Sequence, residues 1–516
     1  MYFLGVDVGT SMVKGAIFTE KGQLIALSRS EYRLNYPHPG WIEIDPHLVW
    51  DKVKKLISQL VRSSNVKPEE IVAICPSVLG EAIVPIDKKL RPLYNFIEGW
   101  DGRGNYYQEE MSFLEEKIGK YKIYQITGVT LSLLASIHKI LWLIKHKPEI
   151  YEKTFKFLFM EDFIIAKLTG EYFVDYSLAC RSLLFDRVEK KWSKEILRKT
   201  ALSPDLFSLP VSSGTIVGSV VASVANELGL SKKTKVITGG HDQCCAALGV
   251  GIISEGPAFN GMGTVEVIAG VTERPRSEHH LLGSNIADYC YVLKDKYLLL
   301  GVNPTFGMAL KWFKDIFLKE GNSIESKEDK AIYGIIIEKA RQSLPGAREL
   351  FFLPHLQGTF SGSFQALNPN SRGAFIGLKP FHKMSDVVRA ILEGVCFETR
   401  NLMAEMEKVL EITNLRVAGG PTSSDLWMKI KANICQKNLL IPEKSEAGLI
   451  GTLILSTIAT GVYKDSKEAV LNVFKVKKSI LPEEKMGIFY TSRFNIFKKI
   501  YPALFEIYEK IGSLNN

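Results

Sequence analysis

Short apolar runs separated by turn residues open the chain and predict strands. Residues 2–6 are apolar, residues 13–18 resume the strand pattern, and the segment 9–11 between them has turn chemistry. A third apolar run covers residues 24–28. The opening of the chain is therefore predicted to be two strands around a tight turn, followed by a third strand.

A helix is predicted next, because Asp45 is a typical N-cap residue and Pro46 suits the first helical position. Further strands are predicted over residues 71–76 and 82–86. The predicted helix has apolar residues at helical spacing along one face, at Val49, Val53, Leu56, Ile57 and Leu60.

Helical patterns dominate residues 111–200, and strand features then return. A strand over residues 234–238 ends in two glycines and leads into a helix predicted over residues 242–248. A second strand–turn–strand pattern over residues 258–269 resembles the opening one in outline, and a short strand is predicted over residues 416–418. The second half also carries predicted helices over residues 304–317, 330–341, 385–406, 425–433 and 449–460.

The repeated pattern predicts two α/β domains, residues 1–249 and 250–516, that face each other across a cleft. The chain has 516 residues, of which 46% are hydrophobic, as expected for a folded protein with real cores. Sixty-five Lys and Arg against 56 Asp and Glu give a net charge of +9. This excess is spread out without a basic run, so neither a nucleic-acid nor a membrane partner is predicted.

Targeting and cysteine patterns predict a cytoplasmic protein. The N-terminus lacks a basic leader, and the uncharged stretch 447–463 contains Gly and Thr and is shorter than the roughly 20 apolar residues of a membrane span. Seven cysteines without a C-x-x-C motif predict reduced thiols and no metal–cysteine site. The sequence leaves a homodimer open.

The first predicted turn carries residues suited to binding phosphate. Gly9 allows close backbone approach, and the hydroxyls of Thr10 and Ser11, with Lys14 beyond, can surround a phosphate group. Asp7 can hold Mg²⁺ through water. An ordinary hairpin turn with an exposed Asp is the alternative interpretation.

The second half repeats this chemistry in the turn that contains Gly263 and Thr264. A later loop with Gly419, Gly420 and Ser423 joins a strand to a helix, and its bare backbone can pack against a flat ligand such as adenine. Neither hairpin turn has a P-loop or Rossmann spacing. A glycine-rich turn and a simple connecting loop are the alternatives.

Asp242 stands where a helix is predicted to begin, and the helix dipole favours its ionised form there. An ionised carboxylate in a cleft can accept a proton. The alternative is an N-cap Asp that binds backbone donors. The neighbouring His241 is more often a packed or exposed histidine than a base.

The segment 373–394 has the spacing of the second signature of the FGGY family of carbohydrate kinases, and the chain resembles that family over nearly its whole length. Ser136, Lys139 and Trp142 match the first signature, whereas Leu134 departs from it. The resemblance implies an α/β fold of two actin/hexokinase-like (ribonuclease H-like) domains around a central cleft.

The resemblance also implies an ATP-dependent, Mg²⁺-requiring transferase of carbohydrate metabolism. It makes the two hairpin turns the phosphate-binding loops, Gly419 and Gly420 the adenosine wall, Asp7 the metal residue and Asp242 the base. Catalysis would then combine proton transfer with charge stabilisation of the transferred phosphoryl group. A non-catalytic sugar or nucleotide sensor on the same fold is the rival hypothesis.

The resemblance assigns the sugar site to Gly80, Glu81, Trp100, Asp101, Arg103 and Gln243. Glycerol kinases carry an arginine where this chain has Gly80, and the xylulose kinase motif is absent there, although segment 101–103 resembles its counterpart in xylulose kinases. Gly80 removes a cationic contact while the acids supply hydroxyl acceptors. We therefore expect a ketose such as xylulose, or a related polyol, to be a better substrate than glycerol or gluconate, and glycerol, gluconate, fuculose and erythritol are the alternative substrates.

Overall fold

The computed structural model describes residues 1–132, 134–318, 327–362 and 366–514. Across these described residues, two seven-stranded sheets organise the fold. The first sheet has the strand order Ile216–Ser219, Lys235–Ile237, Ile71–Val78, Tyr2–Val8, Met12–Thr19 and Leu24–Glu31, with Gly240–His241 also paired to Ile71–Val78. The second has the order Ala287–Cys290, Tyr297–Asn303, Glu266–Thr272, Gly256–Met262, Ile412–Ala418, Asn438–Pro442 and Val476–Ile480.

The two sheets share one topology. In the first, Tyr2–Val8 pairs antiparallel with the next strand and parallel with Ile71–Val78. In the second, Gly256–Met262 pairs antiparallel with the next strand and parallel with Ile412–Ala418. This repeated order is the ribonuclease H-like arrangement, so the predicted fold class is confirmed. In each sheet the first two strands in chain order form a hairpin, called here the first hairpin (Tyr2–Thr19) and the second hairpin (Gly256–Thr272).

Helices and smaller sheets surround these sheets. Glu43–Ile44, Phe96–Ile97, Ile83–Ile86 and Lys156–Phe159 form a four-stranded sheet, and paired short strands join Phe173–Asp175 to Leu209–Val211, Phe185–Asp186 to Lys191–Trp192, and Phe351–Leu353 to Ala374–Ile376. The α-helices span Pro46–Ser63, Gly104–Lys117, Lys120–Thr127, Ser136–His146, Pro148–Tyr151, Met160–Thr169, Tyr176–Arg181, Lys194–Thr200, Ala222–Leu228, Asp242–Gly249, His279–Gly283, Phe306–Phe317, Lys327–Arg341, Met384–Met406, Asp425–Cys435, Ala447–Ala459, Ser466–Val473 and Glu484–Ser513. Short 3₁₀ turns span Pro68–Glu70, Pro204–Leu206, Ala347–Glu349 and Gly420–Ser423.

Local patterns explain several of these elements. Asp45 caps Pro46–Ser63 by accepting a hydrogen bond from the His47 amide at 2.8 Å, and the predicted apolar face of this helix is buried. The helix Glu484–Ser513 was not predicted, although Tyr490 and Phe494 are buried at helical spacing along it. The helical spacing of these apolar residues can be seen in the sequence and could have predicted the helix.

The helix Ala447–Ala459 belongs to the second half of the chain but packs against the first sheet and the helix Asp242–Gly249. A Cβ atom on Gly451 would lie 1.9 Å from the Cys245 carbonyl oxygen, and one on Gly249 would lie 1.8 Å from the Ala447 carbonyl oxygen. The two helix backbones therefore touch directly, which explains the glycines in this apolar stretch. Within the described part of the chain, none of the helices combines the length and apolar character that a membrane crossing requires.

Replacing Gly451 with Ala is expected to destabilise the fold, because the added methyl group overlaps the Cys245 carbonyl oxygen. Overpacking of this kind costs about 1–3 kcal/mol. The urea concentration at the midpoint of unfolding measures this loss of stability. Gly334→Ala is the matched control: this glycine also lies in a helix, nothing stands within 4 Å of its added Cβ, and alanine is expected to stabilise that helix by about 0.5–1 kcal/mol. Equal midpoints for the two variants would contradict the contact.

Candidate active site

A cavity of about 490 Å³ lies between the two halves of the chain. Its wall includes parts of both hairpins and the first residues of the helices Asp242–Gly249 and Ala447–Ala459. The structure therefore brings residues from distant parts of the sequence to one cavity. Those predicted site residues that line it are Asp7, Thr10, Lys14, Gly80, Glu81, Trp100, Asp242, Gln243, Gly263 and Gly419.

Asp7 stands near the end of its strand, opposite Lys14 on one side and Ser77 on the other. Ser77 Oγ donates a hydrogen bond to Asp7 Oδ1 at 2.8 Å. Burial raises the pKa of the Asp7 carboxyl, whereas Ser77 and Lys14 oppose that rise. Lys14 Nζ also lies 3.6 Å from Glu446 Oε2, just before the helix Ala447–Ala459. The first hairpin thus offers a carboxylate and an ammonium group to the same cavity.

The second hairpin is held by backbone contacts. The amide of Gly307, at the start of the helix Phe306–Phe317, donates to the Gly263 carbonyl oxygen at 3.2 Å, and the next amide donates to the Thr264 carbonyl oxygen at 3.0 Å. Gly419 has a φ of +111°, and a Cβ there would lie 1.8 Å from the Met262 carbonyl oxygen. Only glycine fits that position, so the Gly419 loop lies directly against the second hairpin.

A buried ion pair lies behind this hairpin. Glu266 and Lys431 are both fully buried and bonded to each other, although the sequence analysis named neither. Glu266 also accepts hydrogen bonds from Thr399 Oγ1 at 2.7 Å, Asn260 Nδ2 at 2.9 Å and Asn303 Nδ2 at 3.2 Å. Since Lys431 lies on the helix after the Gly419 loop, the pair connects that loop to the second hairpin.

Asp242 begins its helix as predicted and faces the cavity. Burial and the nearby Asp7 raise its pKa to about 7, against a hydrogen bond that Gln243 Nε2 donates at 3.1 Å. His241 Nε2 lies 3.3 Å from Asp242 Oδ1, and its Nδ1 is hydrogen-bonded to the Tyr289 hydroxyl at 2.8 Å. Burial and Arg181 lower the pKa of His241 to about 3. The imidazole is therefore neutral at physiological pH, and it orients Asp242 without neutralising it.

A second ion pair lines the cavity beside Asp242. Arg181, from the helix Tyr176–Arg181, is bonded to the Glu81 carboxylate through Nε and Nη2. A Cβ on Gly80 would lie 3.0 Å from His241 Nε2, so the absence of a side chain there makes room for the imidazole. Gly80 itself supplies no cation, but Arg181 brings a guanidinium to the same wall from a different element, which the sequence did not predict.

Trp100 lies at the cavity, with its ring centroid 5.6 Å from that of Phe360 in the second half. Asp101 and Arg103, by contrast, have fully buried side chains that pair with each other, Nε to Oδ1, at 2.7 Å. The guanidinium packs on the Trp41 ring at 3.9 Å. These two side chains do not line the cavity, and their expected contact with the substrate stays a prediction.

Five further predicted residues belong to the cavity loops but do not line the cavity: Gly9, Ser11, Thr264, Gly420 and Ser423. Ser423 Oγ donates instead to the Gly420 carbonyl oxygen at 2.9 Å. Sequence reasoning missed Arg181, Glu98 and Phe360, which do line the cavity. They stand in no motif that the sequence analysis recognised, and only their positions in space connect them with it.

Family comparison agrees with this architecture. The model of the N-terminal domain of the FGGY family of carbohydrate kinases matches residues 2–249, and the model of its C-terminal domain matches residues 258–460. The chain belongs to the FGGY family of carbohydrate kinases. This FGGY protein is therefore a phosphotransferase that acts on a sugar, and the family implies ATP as the phosphoryl donor.

Individual relatives of this FGGY kinase carry two different names. A gluconokinase of Bacillus subtilis (strain 168) is 27% identical over 99% of this chain and 98% of its own length. A xylulose kinase of Staphylococcus epidermidis is 28% identical over 99% of both chains. The crystal structure of gluconate kinase from Lactobacillus acidophilus has a TM-score of 0.88 at 24% identity and covers 99% of both chains, which shows the same fold.

Lys431→Met is expected to destabilise this FGGY kinase, because it leaves the Glu266 carboxylate buried without its cation. Breaking one side of a buried pair costs about 3–5 kcal/mol. Urea unfolding measures the loss, and the paired variant Glu266→Gln/Lys431→Met is expected to recover part of it by removing the second charge. A single variant as stable as the wild-type protein would show that the pair does not support the second hairpin.

Proposed function

We propose that this protein phosphorylates a hydroxyl group of a neutral ketose such as xylulose, or of a related polyol, with ATP as donor. The observation that carries the proposal is the position of Asp242, which faces one cavity together with Asp7 and both hairpins. The relatives named xylulose kinase and gluconokinase support a sugar-sized substrate. Gluconate is the principal alternative, and glycerol, fuculose and erythritol are others.

Asp242 acts in this proposal as the general base. Its carboxylate accepts the proton of the attacking hydroxyl, and the neutral His241, fixed by Tyr289, holds its orientation. A pKa of about 7 suits this task, because the group is then strong enough as a base and still ionised in part near neutral pH. Glu81, Trp100 and Gln243 contact the sugar hydroxyls and carbon face.

The nucleotide is proposed to bind between the hairpins and the Gly419 loop. Turn residues of both hairpins, with Lys14, surround the phosphates, while the Gly419–Gly420 backbone lies against adenosine. The donor set at Asp7 fits Mg²⁺, because that ion prefers hard oxygen ligands and usually combines one or two carboxylates with substrate phosphates. Bound there, Mg²⁺ would neutralise charge on the phosphates.

We also propose that residues 1–249 supply the sugar site and the base and that residues 250–516 supply the nucleotide site. A sugar or nucleotide sensor on the same fold is the other candidate. The carboxylate with a raised pKa at Asp242 favours the kinase, because binding alone does not require a base.

Asp242→Asn is expected to keep nucleotide binding and lose transfer, since the amide preserves shape but cannot accept the proton. The fall in kcat is expected to be roughly 10²- to 10⁴-fold. Coupled ADP release with xylulose, other ketoses, polyols, gluconate and glycerol measures transfer, and the thermal shift caused by ATP measures binding. Near-wild-type turnover would contradict the mechanism, and a wild-type protein that binds sugar but releases no ADP across the panel would favour the sensor.

The pH profile tests the same carboxylate independently. Because protonated Asp242 cannot act as a base, kcat/KM for the sugar is expected to rise with pH and to reach half its plateau near the pKa of about 7. Gln243→Ala removes a hydrogen bond that lowers this pKa, so its profile should move to higher pH. A flat profile between about pH 5.5 and about pH 8.5, or a shift in the opposite direction, would contradict the assignment.

A further inference from the structure

The sugar end of the cavity, defined by Gly80, Glu81, Glu98, Trp100 and Arg181, carries an ion pair that the sequence motifs do not explain. We propose that this Glu81–Arg181 pair selects the charge of the substrate. While Glu81 holds the guanidinium, the site accepts neutral polyhydroxy compounds and rejects sugar acids. The inference rests on the proposed kinase function and specifies its substrate class.

Glu81 is fixed from its backbone outward. It has a φ of +59°, a left-handed conformation that is uncommon for a residue with a side chain. Its carbonyl oxygen accepts hydrogen bonds from Ser136 Oγ at 2.9 Å and from Lys139 Nζ at 3.2 Å. These contacts leave the Glu81 carboxylate pointing toward Arg181 rather than free to follow a ligand.

Arg181 is held equally firmly. Its guanidinium carbon lies 5.3 Å from the centre of the Tyr289 ring, and its side chain is only 12% exposed. Burial opposes ionisation of Glu81, but Arg181 and the other neighbouring groups, Lys139 among them, together keep the pKa of the Glu81 carboxyl below its ordinary value. Both partners therefore remain charged, and the Glu81 carboxylate offsets the positive charge that the guanidinium brings to the cavity wall.

The other acidic groups at this end of the cavity are carboxyl groups with raised pKa values. Glu98 lines the cavity and accepts a hydrogen bond from Thr10 Oγ1 at 3.3 Å, and burial raises its pKa; Asp242 lines the same cavity. His241 is neutral, and the Lys139 ammonium bonds to backbone carbonyl groups rather than lining the cavity. A sugar carboxylate would meet like charges in an enclosed site, which disfavours its binding.

Substitution of Glu81 and substitution of Arg181 should change the substrate preference in opposite directions. Glu81→Gln removes one carboxylate and frees the Arg181 guanidinium to bind a carboxylate bidentately. Arg181→Gln removes the cation and leaves the Glu81 carboxylate without its ion-pair partner. A role in folding alone would instead lower activity toward all sugars in both variants. The ratio of kcat/KM for gluconate to that for xylulose therefore separates charge selection from a structural contribution.

Coupled ADP release with xylulose and gluconate tests the proposal on the wild-type enzyme and both variants. The wild type should prefer xylulose, Glu81→Gln should raise the gluconate-to-xylulose ratio more than about tenfold, and Arg181→Gln should lower it. Glu116→Gln, the same chemical change at an exposed position outside the cavity wall, is the control and should leave the ratio unchanged. Calorimetric titration with gluconate gives a second readout if a variant turns over too slowly.

Two results would overturn the proposal. One is a wild-type enzyme that prefers gluconate, and the other is a ratio that stays constant or moves in the same direction in Glu81→Gln and Arg181→Gln. Failure of the proposed function looks different, because the wild-type protein would then release no ADP with either sugar. If the wild-type enzyme phosphorylates xylulose and neither substitution changes the gluconate-to-xylulose ratio, the kinase function stands and only the charge selection is contradicted.

Discussion

Direct contact between the backbones of the helices Asp242–Gly249 and Ala447–Ala459 is the constraint on which the site depends. Gly249 and Gly451 leave no side chain between the helices. The first turns of both helices consequently reach the same wall, where a Cβ on Gly448 would lie 3.3 Å from Asp7 Oδ1. One packing contact thus joins the second half of the chain to the first sheet and sets the surroundings of its carboxylates.

The close packing of these two helices also determines the charge state of the carboxyl groups in the cavity wall. Burial is the main cause of the raised pKa of Asp242, and the nearby Asp7 adds to it. His241 does not relieve it, because burial and Arg181 keep the imidazole neutral. The result is a carboxylate that remains able to take up a proton near neutral pH, a property that a solvent-exposed Asp would lack.

Residues of the family signatures act here mainly as supports. Ser136 and Lys139 bond to the carbonyl oxygen of Glu81, and Trp142 lies 4.5 Å from the Arg103 guanidinium. In the second signature, Glu393 accepts a hydrogen bond from the Gly346 amide at 3.0 Å. These positions could be recognised in the sequence because the motif is short and local, but their partners could not be read from it.

Sequence alone determined the two hairpins, the helix that begins at Asp242 and the repeated α/β order, because turn chemistry and periodicity act over a few neighbouring residues. Tertiary structure decided the rest of the site. Arg181 reaches Glu81 from 100 residues further along the chain, and Asp101 is paired with Arg103 outside the cavity wall. Ion pairing and burial depend on contacts between segments far apart in sequence, and no local pattern encodes which of these segments meet.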